Sequence, residues 1–297
     1  AQVPSGQFDQ LMDDGTRFAV RIEVDQQTCS ALIDFTGTGY RPDQAMHPGN
    51  FNAPTSVVRA AVLYVFRVLV ARPIPLNAGL FRALTIRVPE ASILAPCYPA
   101  AVVSGNVETA QYLVDTLMGA LQLMAACQGT NNNLTFGNQR YQYYETLCGG
   151  AGGSAFGAGA SGVHSHMTNS RLTDPEVLEQ RYPVVLDHFH LRCGSGGTGQ
   201  YPGGMGVERH IRFLQPMTAN IISGRRQVAP FGIQGGGAGS CGVNMVMRGR
   251  TAAGEPKSVL PVAGCARLEL DVNDTLAIHT PGGGGYGVVA AVPMDGR

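Results

Sequence analysis

Residues 174–223 read DPEVLEQRYPVVLDHFHLRCGSGGTGQYPGGMGVERHIRFLQPMTANIIS, and they mark where the chain changes character. Asp174-Pro175-Glu176 opens a short helix over 174–182. The Asp carboxylate can accept the orphan amides of a first turn, and Pro at the start gives up a donor that would have no partner there. Beyond it the chain reads as strands only, at 184–192, 206–214 and 217–223, and then at 243–249, 257–263, 267–271 and 275–280, with glycine turns between them.

Working back towards the N-terminus, the pattern differs. Phe18, Val20, Ile22 and Val24 alternate on one face, a break follows at Asp25-Gln26-Gln27, and Ala31-Leu32-Ile33-Asp34-Phe35 returns, which predicts a β-hairpin over 17–35. A polar loop runs from Asp34 to Pro54. A first helix over 55–71 is apolar nearly all round and is expected to be buried. A short strand near 82–88 precedes a second helix over 106–127, introduced by Ser104-Gly105-Asn106. Its apolar residues Leu113, Val114, Leu117, Met118 and Leu121 recur at the amphipathic period. Strands and glycines share 134–163. Two main helices in the first half and a β-rich, glycine-looped second half make the expected class α+β. We read 1–297 as a single domain with a candidate sub-boundary near 183, dividing a mixed part (1–183) from a β-rich part (184–297). No fixed-period repeat is visible.

Composition narrows the function. Lys plus Arg and Asp plus Glu number 21 each, so the formal net charge is zero and nucleic acid or an anionic membrane has no electrostatic footprint here. Charged residues are only 14%, against roughly 25% in an average domain. So sparse a charge predicts a covered surface, most simply the interface of a homo-oligomer. Forty glycines, clustered at 149–162, 194–206, 235–242 and 282–287, predict tight loops and close backbone approaches. Seven scattered cysteines without a CxxC pair favour reduced thiols in a cytoplasmic protein, with Cys127 and Cys148 as small buried hydrophobes. There is no apolar run of membrane-span length and no signal-peptide pattern, and a start without Met predicts a chain cut from something longer.

The polar run 162–176, GVHSHMTNSRLTDPE, is the densest candidate site. In an extended segment His164 and His166 would share a side. They could hold a metal together with Asp174 or Glu176, hydrogen-bond a substrate or partner, or simply pack. Asp174 is a helix cap or a catalytic residue; Arg171 is an internal ion-pair partner or a grip for a substrate carboxylate, and Asn169 adds an amide. Asn106 and Glu108 begin the second helix, where free amides attract anions, although Asn106 also reads as a plain cap. The tail HTPGGGGYG at 279–287 lacks the Lys and Ser/Thr of a phosphate loop and reads as a loop packed against another element or a partner subunit. No GxSxG elbow is present and no Cys stands beside a base in sequence, so nucleophilic catalysis by this chain has no sequence support.

Ordered blocks spanning the chain carry a resemblance. DFTGTG, NFNAP, PIPLNAGLF, VSGNVETAQ, NNNLTFGN, YYETLCGGAGGS, HSHMTNSRLTDPE, GSGGTGQYPGGMGVER, RRQVAPFGIQGG and HTPGGGGYG together resemble the hydantoinase B/5-oxoprolinase family, closest to its 5-oxoprolinase branch. The resemblance implies a C-terminal domain of a hydantoinase B-type protein, part of an ATP-dependent hydrolase of cyclic amides connected with glutathione metabolism. It implies two further portions: an N-terminal half carrying a metal motif, and a hydantoinase A-type subunit or domain that binds ATP. ATP and a divalent metal are then expected in the complete enzyme, neither held mainly by this chain, which would be inactive alone. His164, His166 and Asp174 would be catalytic, and Asn169, Arg171, Asn106 and Glu108 would contact substrate. A sister-branch acetone or acetophenone carboxylase subunit and a catalytically silent scaffold are the competing readings. The chain departs from the family's pattern at Ala110 and Tyr112, where a hydroxyl and a basic residue are expected, and at Gly224, where many relatives have an acid.

Overall fold

The computed structural model describes residues 3–39, 50–70, 73–75 and 77–289. Residue 71 of the expected first helix and residues 40–49 of the expected polar loop lie outside them. The fold is α+β, with thirteen strands in three sheets among the described residues.

The first sheet holds β1 (Gly6–Leu11), β2 (Arg17–Asp25), β3 (Ser30–Asp34) and β4 (Leu84–Arg87) in that order, with β3 and β4 parallel. β2 and β3 are the expected hairpin; its alternation sends Phe18, Val20, Ile22, Ala31 and Ile33 inward. Those side chains meet α1 (Thr55–Leu69) and α2 (Thr109–Ala120) in one core.

Two helical expectations need correction. α1 is not buried all round: Val58, Ala61, Val62 and Val65 face the core, while Arg59, Ala60, Arg67 and Val68 lie outside. Its apolar residues simply exceed what one face can bury. α2 is shorter than the span 106–127. Residues 103–105 form a separate 3-10 turn ahead of it, and Gln122, at φ 55°, ends it. Conversely, all twelve residues of α2 are buried, so its polar stripe faces protein rather than solvent.

The second core lies between two sheets. One orders β11 (Pro256–Val262), β10 (Val243–Arg250), β13 (Thr275–His279), β8 (Val207–Phe213) and β7 (Val184–Leu191); the other orders β12 (Cys265–Leu270), β9 (Met217–Ile222), β5 (Asn133–Gly137) and β6 (Gln142–Thr146). Ile211, Phe213, Val246, Leu276 and Ile278 from the first meet Leu134, Phe136, Met217, Ala219 and Ile221 from the second, a sandwich closed at one end by Leu178 of α3 (Pro175–Arg181). Strands from both sides of position 183 thus share a sheet. Burying each large aliphatic side chain here contributes roughly 1.5–3 kcal/mol.

The glycine clusters form a third, backbone-only packing unit. The loop 281–287 runs through its middle: the amides of Gly283, Gly284 and Gly285 donate to Gly204, Ala126 and Gly237, and the carbonyls of Pro281, Gly283 and Gly284 accept from Gly150, Gly197 and Gly153, all at 2.8–3.0 Å. A Cβ on Gly150, Gly152, Gly203 or Gly283 would collide with neighbouring main chain, which is why these positions have no side chain. The tail therefore packs against other elements of the same chain.

Candidate functional site

Glu108, immediately before α2, and Gln111 and Asp115 within it recur at i, i+3 and i+7 and stand on one side of the helix. All three are buried. They meet three other segments, 127–133, 165–168 and 223–226, each carrying a non-glycine residue at positive φ: Asn132, His166 and Met167, and Arg225.

Glu108 is fully enclosed. Its Oε1 accepts from Thr130 Oγ1 (2.9 Å), the Asn131 amide (3.2 Å) and Asn133 Nδ2 (2.8 Å), while Oε2 has no hydrogen-bond partner among the described residues. Burial dominates these bonds and the field of Arg226 and pushes the carboxyl up to about 8, so it holds a proton at neutral pH. Burial also brings Arg226 down to about 10, still cationic at neutral pH. Its guanidinium donates to Asn132 Oδ1 (2.8 Å), Asn244 Oδ1 (2.9 Å) and the Gly224 carbonyl (2.6 Å). Asp13 anchors the adjoining turn by accepting from the amides of Arg226, Gln227 and Val228.

Two turns further along α2, Asp115 accepts from the Cys127 amide (3.0 Å), lies 3.3 Å from His166 Nε2 and pairs with Arg225 Nη2 at 3.3 Å. Arg225 has no solvent exposure; it also reaches Gln10 Oε1 (2.6 Å) and lies 4.2 Å over the Tyr112 ring. Burial alone would lower the His166 pKa, yet Cys127 and Asp115 outweigh it and hold the imidazole well above its ordinary range. Tyr64 OH faces the other ring nitrogen at 3.4 Å. Gln111 Nε2 donates to the His166 carbonyl (2.8 Å) and its Oε1 accepts from Ser165 (3.1 Å), pinning a bend in which His166 (φ 23°) and Met167 (φ 53°) occupy left-handed backbone. Such strain persists only where surrounding contacts impose it. The network can therefore keep two protons away from water, on Glu108 and on His166, beside two guanidinium groups.

The residues expected from sequence separate into two sets. His166 and Glu108 lie in this network, which Thr168 links through its contacts to Gln111 and Asn131. His164 is half-buried, with both ring nitrogens enclosed and without a hydrogen-bond partner among the described residues; burial lowers its pKa. Asn169, Arg171 and Asp174 are exposed further along the segment, and Asp174 caps α3 by accepting from the Glu176 amide at 3.0 Å. Asn106 is exposed and does not cap α2, which begins at Thr109. Among the described residues no group of three potential metal ligands contains His164, Asp174 or Glu176.

Sequence reasoning missed Gln111, Asp115, Cys127, Arg225 and Asp13. The spacing 108/111/115 was the available signal for the first two. Cys127 is buried as expected, but in polar company: its Sγ accepts from the Gly152 amide, and its sulfur lies with Asp115 and His166 donor atoms within 4.8 Å of one another. That spacing would suit a metal, yet a guanidinium at 3.3 Å already occupies the carboxylate and opposes a dication. This trio does not fit a metal. Nor do the glycine loops fit the phosphates of ATP, because their own backbones fill the space beside them. Two departures named above touch each other: a Cβ on Gly224 would lie 2.9 Å from the Tyr112 hydroxyl and 3.4 Å from Glu108 Oε2.

Residues 1–289 match the family described as Hydantoinase B/oxoprolinase. The chain is 44% identical to 5-oxoprolinase 1 of Arabidopsis thaliana and 40% identical to the 5-oxoprolinase of Dictyostelium discoideum, each over 93% of this chain and 21% of the relative. It therefore spans about a fifth of the length of these relatives. Among solved structures, a nucleotide-free acetone carboxylase superposes with a TM-score of 0.77 at 17% identity, covering 95% of this chain and 44% of that one. An ATP-dependent caprolactamase from Pseudomonas jessenii does so with a TM-score of 0.77 at 20% identity, covering 97% and 52%. At these identities the two superpositions establish a shared fold.

Proposed function

The chain belongs to the hydantoinase B/oxoprolinase family, and on that premise we propose that it is the C-terminal portion of an ATP-dependent hydrolase that opens 5-oxoproline to glutamate. The observation that supports this substrate over the alternatives is the identity of 40–44% to 5-oxoprolinases across 93% of the chain. The complete enzyme needs an N-terminal half and a hydantoinase A-type portion. ATP and a divalent metal, held there, would supply the activation that an unstrained lactam needs before water can open it.

Within that reading this chain binds and orients. Asn106, Asn169, Arg171 and Asp174 are exposed and free to contact the substrate or the neighbouring portion. Arg171 supplies the geometry that grips a carboxylate bidentately. His164 brings two unpartnered ring nitrogens to the same segment. His166 is buried within the bend and Glu108 beneath the 130–133 loop, so they act as positioning residues.

The test is 5-oxoproline-dependent ATP hydrolysis by the complete protein, with His164→Ala and His166→Ala variants checked for intact assembly. Turnover lost with assembly intact supports the reading. ATP turnover that responds to acetone and bicarbonate instead places the chain in a carboxylase and overturns it. A second reading, a catalytically silent scaffold, is favoured by the complete burial of the Glu108–Asp115–His166 network; full activity of both variants would establish it.

A further inference from the structure

Four of the chain's seven histidines gather at a second place, on the outer face of the five-stranded sheet. Along β8, Val207, Arg209, Ile211 and Phe213 are buried, so Glu208, His210 and Arg212 stand on the opposite face. The register sets His210 beside His188 on β7 and Ala277 on β13, and sets Glu208 beside His190 and His279. Directly paired residues share a face. Ala277 carries only a methyl, which leaves room for the His279 ring to reach across to His210.

The resulting geometry is compact. His210 Nε2 and His279 Nε2 are 3.0 Å apart, and Glu208 Oε2 is 3.6 Å from the same His279 nitrogen. All three donor atoms lie within 4.8 Å of one another. Two imidazole nitrogens bound to one ion at about 2.0–2.1 Å sit roughly 3 Å apart, so the separation already suits a shared ion; the near-coplanar rings meet nitrogen to nitrogen in a hydrogen bond, and each would turn to aim its lone pair at the ion. His190 Nε2, 3.4 Å from Glu208 Oε2, steadies the carboxylate from the side, as partners of metal ligands do. A cleft of about 490 Å³, lined by His188, His210, Met247, Arg250 and Thr275, opens beside His210. Its cations are accounted for: Arg250 and the neighbouring Arg212 both pair with Asp187.

We propose that His210, His279 and Glu208 bind one divalent transition-metal ion of the Zn²⁺ class through two Nε2 nitrogens and a carboxylate oxygen, with a remaining coordination position facing the cleft. Two histidines and a glutamate are a donor set suited to zinc, and three protein ligands leave room for water or another small oxygen donor. The inference rests on these side chains alone and stands whether or not the oxoprolinase reading does.

The experiment is equilibrium dialysis of the metal-stripped chain against Zn²⁺ near pH 7.5, with metal counted per chain, followed by Co²⁺ substitution. One zinc per chain is expected, with visible cobalt bands and no thiolate charge-transfer band. His210→Gln and His279→Gln should each weaken binding by at least about 100-fold, and His190→Gln by about 10-fold. Cys127→Ala should leave the stoichiometry at one. Circular dichroism checks that each variant is folded. Should a variant fail that check, the His210 and His279 Cε1–H resonances of the unaltered chain decide, since both must shift on adding Zn²⁺. Stoichiometric zinc in folded His210→Gln and His279→Gln, zinc lost with Cys127, resonances that do not move, or no zinc bound at all would each overturn the proposal.

Discussion

Replacing Glu108 by Gln should change how stability depends on pH more than it changes stability itself. The amide keeps an acceptor for Thr130, Asn131 and Asn133 and mimics the protonated acid. The carboxyl has an ordinary value of 4.5 and is pushed up to about 8 in the fold by burial. Because the folded value is the higher one, the group's favourable contribution is complete below pH 4.5 and is lost as pH rises, until the folded carboxyl itself ionises near 8. The loss runs at about 1.4 kcal/mol per pH unit inside that window and accumulates to roughly 3.5 kcal/mol between pH 5 and pH 8. Every other titrating group is common to both proteins and cancels on subtraction. Urea unfolding of the two proteins at several pH values therefore has a defined outcome: near-equal stability at pH 5, and Glu108→Gln ahead by about 3.5 kcal/mol at pH 8. A difference that does not vary with pH would mean that Glu108 is ionised in the fold, held by Arg226, and the argument from burial would be wrong.

Arg225→Met takes a buried cation from Asp115 and leaves that carboxylate only His166 and the Cys127 amide, which should cost about 3–5 kcal/mol in denaturant unfolding. Gly224→Ala presses a methyl against the Tyr112 hydroxyl and should cost about 1–3 kcal/mol; Tyr112→Phe removes that oxygen, so the double variant should recover most of the loss in a double-mutant cycle. Gly283→Ala, whose Cβ would strike the Ala151 carbonyl, should lose about 3 kcal/mol or more, whereas Gly39→Ala, with open space around its Cβ position, should stay within about 0.5 kcal/mol in the same thermal-unfolding assay.

The alternation of Phe18, Val20 and Ile22 was enough to place β2, because one buried face and one wet face imprint a period of two on the residues. The strands after 184 were legible for a related reason: glycine clusters punctuate runs that β-branched and aromatic residues fill. β1 was not, since its sequence GQFDQL buries a glutamine, Gln10, which donates to the Tyr112 carbonyl at 2.9 Å. The polar side of α2 misled in the same way. Amphipathic spacing shows that a helix has two kinds of face but not what each face meets, and here the polar one meets Thr130, Ser165 and Arg225 from segments remote in sequence. The site residues were half legible. A dense polar run pointed to His166, but its partner Asp115 lies fifty-one residues away, a pairing that only the fold reveals.

The glycine loops also dictate an order of events during synthesis. The loop 281–287 is the common partner of backbone groups at Ala126, Gly150, Gly153, Gly197, Gly204 and Gly237, all of which leave the ribosome before it. Until that last loop arrives, these amides and carbonyls have only water to bond, and no side chain is present to substitute. Contacts of such long sequence separation form slowly, so a nascent or C-terminally shortened chain should expose unfinished glycine backbone and depend on chaperones for longer than its two hydrophobic cores alone would require.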